Sequence, residues 1–178
     1  IIFSKPYTNI QLPCTPQVKL SITTPSGETY LHIDEFTETD FIASNEKCDV
    51  RVGNSRICGN LDKYNIHFEV QGNTADLEFS RIAPSWRPGT GKCYFGESHK
   101  DYFGWIVPIP FGNVKGTLKY EGKERKVKGT GYHDHNFGNI ALTKVIDHWY
   151  WGRLSVDDYN CIFFQMVGTE KYGSEKLP

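Results

Sequence analysis

Glycine and proline interrupt this chain so often that it has little room for a long helix. The 178 residues include 17 Gly and 9 Pro, and the segments between them alternate apolar and polar side chains, the period of a half-buried strand. Residues 18–22 alternate and run into the turn Pro25-Ser26-Gly27. Residues 30–36 alternate again. Residues 49–52 and 56–58 flank Gly53-Asn54-Ser55, and residues 64–70 and 75–79 flank Gln71-Gly72-Asn73-Thr74, a strong hairpin signal. Segments 104–108, 114–120 and 125–131 supply three more strands, the last two joined by Glu121-Gly122-Lys123. Residues 150–156 and 159–167 form a final hairpin across Asp157-Asp158. The best helical candidate is 139–147. Residues 84–101 do not alternate and hold Pro84, Trp86, Pro88, Gly89 and Gly91, which reads as a long loop of the lid or binding-loop kind. About ten short strands with regular turns and little helix predict an all-β antiparallel fold, a sandwich or a closed barrel. The barrel is preferred, because closure removes strand edges and leaves an interior for a ligand.

Composition narrows the function. Hydrophobic residues make up 38% and aromatic residues 14%, so large rings must carry much of the burial, and rings also line ligand cavities well. A net charge of −1 leaves no basic field to hold nucleic acid. No apolar run approaches the ~20 residues of a membrane-spanning helix, and no basic segment followed by an apolar one marks a leader. The expected setting is cytoplasmic, with peripheral membrane contact allowed. Five cysteines (Cys14, Cys48, Cys58, Cys93 and Cys161) are widely spaced and contain no CxxC, which argues against a zinc ribbon or a thioredoxin-like site. Reduced thiols are the expectation, with a Cys48–Cys58 staple across a hairpin as the exception.

The chemistry concentrates in Gly129-Thr130-Gly131-Tyr132-His133-Asp134-His135-Asn136-Phe137-Gly138-Asn139. Read as a strand, this segment sends His133, His135 and Phe137 one way and Tyr132, Asp134 and Asn136 the other. If Asp134 faces an apolar interior, desolvation raises its pKa and makes it a candidate general acid. If the histidines face inward, His133-x-His135 has a spacing familiar for zinc or iron, with His148 or His99 as a third ligand. No convincing third ligand stands nearby, so a metal is not expected. A plain strand end, with polar groups bonding turn amides, competes with both. The block His148-Trp149-Tyr150-Trp151-Gly152-Arg153 divides likewise, with Trp149, Trp151 and Arg153 on one face. Such a face reads either as core packing with a cation–π contact or as an aromatic wall able to stabilise a carbocation. Trp105 and Trp86 are candidates to extend it.

Four segments in order carry a family resemblance: Gly104-Trp105-Ile106-Val107-Pro108-Ile109-Pro110, Val114-Lys115-Gly116-Thr117-Leu118, the motif from Gly129 to Asn139, and Trp149-Tyr150-Trp151-Gly152-Arg153. The chain resembles the lipocalin-like AttH/CrtC family, which includes the carotenoid hydratase hydroxyneurosporene synthase. The resemblance implies a lipocalin-like antiparallel β-barrel and no cofactor. It implies that residues 1–178 form a single barrel domain, the first half of a longer two-barrel protein whose own second barrel is a partner. The strong strand just before Lys176-Leu177-Pro178 fits such a cut. It further implies a pocket for a long hydrophobic small molecule and, in the hydratases, addition of water to a terminal isoprenoid double bond. Fungal relatives are implied to be pericyclases. Tyr132, His133, Asp134, His135, Asn136, Trp149, Trp151 and Arg153 match the shared motif, whereas Phe137 stands where Trp is frequent. Under the hydratase expectation Asp134 protonates the alkene, and Trp149, Trp151 and Phe137 face the cation. His133 or His135, with Tyr132, orients water and takes its proton. Trp105, Asn136 and Arg153 complete the substrate contacts. A pericyclase and a lipid or isoprenoid carrier without chemistry are the alternatives.

Overall fold

A computed structural model describes residues 1–5, 15–174 and 176–177; Cys14 lies outside them. The strands, in chain order, begin with β1 (Ile2–Ser4), β2 (Gln17–Thr23), β3 (Thr29–Glu35), β4 (Phe41–Ala43) and β5 (Cys48–Val52). They continue with β6 (Ser55–Gly59), β7 (Lys63–Val70), β8 (Asn73–Arg81), β9 (Lys92–Phe95) and β10 (Asp101–Tyr120). The last four are β11 (Lys123–Gly138), β12 (Ile146–Val156), β13 (Tyr159–Gly168) and β14 (Lys176–Leu177). One helical turn, α1 (Leu142–Val145), is all that forms in the segment expected to be helical. The fold is therefore all-β and antiparallel, as the alternation indicated. No helix of the described residues is long and apolar enough to cross a membrane.

The chain contacts divide into two compact units. The first holds β1–β8 with residues 112–120 of β10 and 123–131 of β11. Its strands form a sheet β1-β2-β3 and a meander β4-β5-β6-β7-β8, which β10 extends by pairing Gly112 with Arg81 through to Lys119 with Thr74. Val18 and Leu20 of β2 meet Val52, Phe68, Val70 and Ala75 of the meander. Burying a ring such as Phe68, which is fully enclosed, is worth roughly 1.5–3 kcal/mol. The turn at Gln71-Gly72 places both residues at positive φ, 48° and 74°, the conformation a two-residue hairpin requires.

The second unit holds residues 82–111, 132–174 and 176–177 among those described. In it β9 pairs with the first residues of β10, and β12, β13 and β14 form a separate sheet. Its core gathers Phe95, Phe103, Trp105, Val107, Val145, Ile146 and Met166. The expected long loop at 84–101 is tied down. Trp86 and Val107 exchange backbone hydrogen bonds at 2.9 and 2.8 Å, and Ser85 Oγ donates to the Pro108 carbonyl at 2.6 Å.

Cys48, Cys58, Cys93 and Cys161 are free thiols. The Cys48–Cys58 staple is not made. Cys58 stands opposite Asp49 and Cys48 opposite Gly59, so the two side chains leave the β5–β6 ladder on opposite faces.

Candidate active site

β11 carries the motif into the second unit, where Tyr132 to Gly138 are extended. Asn139 anchors the end of this run. Its side chain accepts from the Tyr102 N–H at 2.9 Å and donates to the Lys100 carbonyl at 2.8 Å. With the end fixed, strand alternation decides which residues face which way. Tyr132, Asp134 and Asn136 line a cavity of about 530 Å³ together with Phe103, Trp105, Leu142, Trp149, Trp151 and Phe164. The volume lies within the range of small-molecule sites.

The opposite face packs through Phe137, with His135 left exposed. The Phe137 ring lies against Gly104, where an added Cβ would sit 2.4 Å from its Cζ. Glycine at 104 is thus what lets the ring cover the strand. Tyr102 meets Phe137 at 6.3 Å, and His135 stacks on it at 5.7 Å and 23°. His133, His135 and Phe137 are not among the cavity-lining residues.

β12 reaches the cavity through an irregularity. The β12–β13 register shifts between Ile146 and His148, so a bulge resets the alternation. Buried Ile146 is followed on the inner side by Trp149 and Trp151, opposite Met166 and Phe164. His148 turns away, with Nδ1 2.7 Å from its neighbour Asp147. Gly152 leaves space for the Phe163 ring, whose Cζ would lie 2.3 Å from an added Cβ.

Within the cavity, Asp134 is the centre of the polar contacts. The Trp105 indole donates to its Oδ2 at 3.0 Å and the Tyr132 hydroxyl at 3.1 Å, and the Asn136 carboxamide is a longer third donor at 3.5 Å. All three land on Oδ2 and none on Oδ1. A proton carried by this carboxyl is therefore directed to Oδ1, because the lone pairs of Oδ2 are already engaged. Trp105 is 5% exposed, so its donor is fixed by the core. Burial, then the nearby Asp134 charge and the hydrogen bond to it, push the Tyr132 pKa up, with the indoles of Trp105 and Trp151 pulling weakly downward. Tyr132 stays a phenol and a donor. Burial holds His133 down to about 4, against an upward pull from Asp134 and a further push down from His135. His135 exposes much of its surface, yet desolvation of its ring lowers it too.

The structure thus brings together six of the sequence-derived candidates, Tyr132, Asp134, Asn136, Trp105, Trp149 and Trp151, and separates four. His133, His135 and Phe137 sit on the far face of the strand, so a histidine taking a proton from water in the cavity has no geometric support. Arg153 does not line the cavity; its guanidinium lies 5.4 Å from the Tyr132 ring centroid. The sequence reading missed Phe103, Leu142 and Phe164. The first and last had a signal. Phe103 shares parity with Trp105, Val107 and Ile109, and Phe164 with Ile162 and Met166. Among the described residues, no three His, Cys, Asp or Glu side chains gather as a metal site.

A wider concavity of about 740 Å³ lies in the first unit. Its charges are largely used up in pairs: His67 Nδ1–Asp76 at 2.7 Å, Lys115–Glu78 at 2.9 Å, and Arg56 doubly bonded to Asp49 at 2.8 Å. In the smaller cavity six aromatic side chains gather around a single carboxyl, Trp149 and Trp151 from its exposed side, and this makes it the candidate site.

The family model for the carotenoid hydratase CrtC matches residues 29–176. A hydroxyneurosporene dehydrogenase of Chlorobaculum tepidum is 40% identical over 55 residues, 28% of this chain and 14% of that protein. A quinolone epoxide rearrangement protein of Emericella nidulans is 31% identical over 65 residues, 36% of this chain and 16% of that one. The crystal structure of a protein assigned as an AttH, from Nitrosomonas europaea, superposes with a TM-score of 0.68 at 17% identity. It matches 96% of this chain, which spans 54% of that longer one, and the likeness establishes the lipocalin-like fold.

Proposed function

Because the chain belongs to the carotenoid hydratase CrtC family, we propose that its aromatic cavity binds the end of a hydrophobic isoprenoid or polyene and adds water across a terminal C=C bond without a cofactor. The observation that carries this is Asp134, which lines the cavity with Oδ2 held by Trp105, Tyr132 and Asn136. Asp134 transfers a proton from Oδ1 to the less substituted alkene carbon, and the π electrons form the new C–H bond. The tertiary cation left behind faces the rings of Trp149 and Trp151, whose quadrupoles attract positive charge. Water attacks the cation through oxygen, and the resulting oxonium returns a proton to the Asp134 carboxylate. The cycle needs no histidine, in keeping with the outward placement of His133 and His135. Tyr132, held as a phenol, orients the carboxyl.

The test is turnover of an acyclic carotenoid or shorter isoprenoid by wild type and Asp134→Asn. The variant is expected to bind the substrate and lose about 10³-fold in kcat, within the ~10²–10⁴ typical of a general acid. Turnover at the wild-type rate would remove Asp134 from the mechanism.

A second reading draws on the fungal relatives named for quinolone epoxide rearrangement. Oδ1 of Asp134 can equally protonate an epoxide oxygen, and ring opening then places a cation beside the same indoles. A polycyclic epoxide consumed with loss in Asp134→Asn, where isoprenoid alkenes are inert, would favour it. A pericyclase predicts little cost from Asp134→Asn, and a carrier predicts binding without any turnover.

A further inference from the structure

The cavity's composition points to a ligand class beyond a neutral alkene. Of its nine lining residues six are aromatic: Phe103, Trp105, Tyr132, Trp149, Trp151 and Phe164. One carries negative charge when ionised, Asp134, and none is basic. The Arg153 guanidinium is not among them. His133 lies on the other face of β11 and is held neutral at pH 7 by burial. The strongest donors, the Trp105 indole and the Tyr132 hydroxyl, are already committed to Asp134, so an anion or a carbonyl entering the cavity competes for them with Oδ2 of the resident carboxyl group. A positive charge meets the opposite situation, with six aromatic side chains lining the space and the unengaged Oδ1, once ionised, as counter-ion. Aromatic rings arranged around a carboxylate form the chemistry that recognises alkylated ammonium groups.

We propose that this cavity takes up stable organic cations, namely tertiary or quaternary ammonium ions carried on an apolar chain, and that these occupy it as permanent counterparts of the carbocation. The inference deepens the proposed hydration and rests on the same placement of Asp134. A quaternary ammonium suits the site because it offers no N–H needing an acceptor and is only weakly hydrated, so the rings can replace its water.

The experiment measures binding of three probes by tryptophan fluorescence: (6-hydroxyhexyl)trimethylammonium, its neutral carbon isostere 7,7-dimethyloctan-1-ol, and octanoate. The ammonium is expected to bind at least tenfold tighter than the alcohol and octanoate more weakly than either. Asp134→Asn, nearly isosteric, should shrink the gap between cation and alcohol to less than threefold. Trp151→Leu should weaken the cation more than the alcohol. Equal binding of cation and alcohol, tighter octanoate binding, or a gap that survives in Asp134→Asn would overturn the inference. Alkene turnover without cation preference overturns this inference and leaves hydration standing. Cation preference without turnover of any alkene does the reverse.

Discussion

Tyr132, Asp134 and Asn136 face a cavity ringed by indoles and phenyl rings, whereas His133, His135 and Phe137, interleaved with them on the same strand, face away from it. Neighbouring side chains are one peptide apart and differ in everything that matters for chemistry. On the cavity side a carboxyl is held by donors while one of its oxygens stays unengaged. On the far side two imidazoles gain nothing from the cavity, and desolvation lowers the pKa of both, that of His133 to about 4. The comparison teaches that the density of proton-carrying residues in a sequence does not count the proton stations in a site. The two-residue period of a strand halves it.

The widest expected gap between the faces is kinetic. Asp134→Asn should lower kcat by about 10³-fold, while His135→Gln, one residue away, should leave it within about twofold. A large loss in His135→Gln would put both faces in the site and break the contrast.

The far face should show itself in stability instead. The His133 pKa is lowered from 6.5 to about 4 in the fold, so between these values the unfolded chain binds more protons than the native one. Stability is then full above pH 6.5 and falls as the pH drops toward 4. The loss from pH 7.5 to 5 is expected to be about 2 kcal/mol, measured as the change in urea unfolding free energy. His133→Gln should remove most of that slope, with a remainder from His135. A slope untouched by the substitution would mean that the burial of His133 does not set it.

A smaller effect sharpens the cavity side. Trp105→Phe keeps a buried ring but removes the 3.0 Å donor to Asp134. Hydrogen bonds to charged groups are worth roughly 1.5–3 kcal/mol, and Tyr132 remains in place. A drop of about tenfold in kcat with KM nearly unchanged is expected. A rise in KM alone would make Trp105 a wall of the cavity and nothing more.

Much of the fold was legible because alternation and turn chemistry agreed. The hairpin at Gln71-Gly72 is one case, and the β12–β13 pair across Asp157-Asp158 is another. β10 was harder to read. Its twenty residues looked like two strands, because Pro108, Pro110 and Gly112 resemble breaks. They fall instead where the strand changes partners, with the Trp86 bridge ending at Val107 and pairing to β8 beginning at Gly112. Residues 139–147 read as a helix and form only a single turn, since Val145 and Ile146 are drawn into the core and the chain continues at once as β12.

The candidate site was half legible. Periodicity separated Asp134 from His133 and His135 but could not say which set met the cavity. That depended on Asn139 fixing the strand end and on Gly104 accepting the Phe137 ring, both long-range contacts. Phe137 belongs to the packed face, where its ring lies against Gly104, so a change there bears on how β11 seats on β10 and not directly on the ligand.

The most direct test of the central claim, that Asp134 gives a proton to carbon, is hydration of an acyclic isoprenoid carried out in D₂O. The expected product is a tertiary alcohol with one carbon-bound deuterium on the methylene next to the carbinol, formed by the wild type and lost in Asp134→Asn. A product without carbon-bound deuterium, or one formed with the same label and rate by Asp134→Asn, would contradict it.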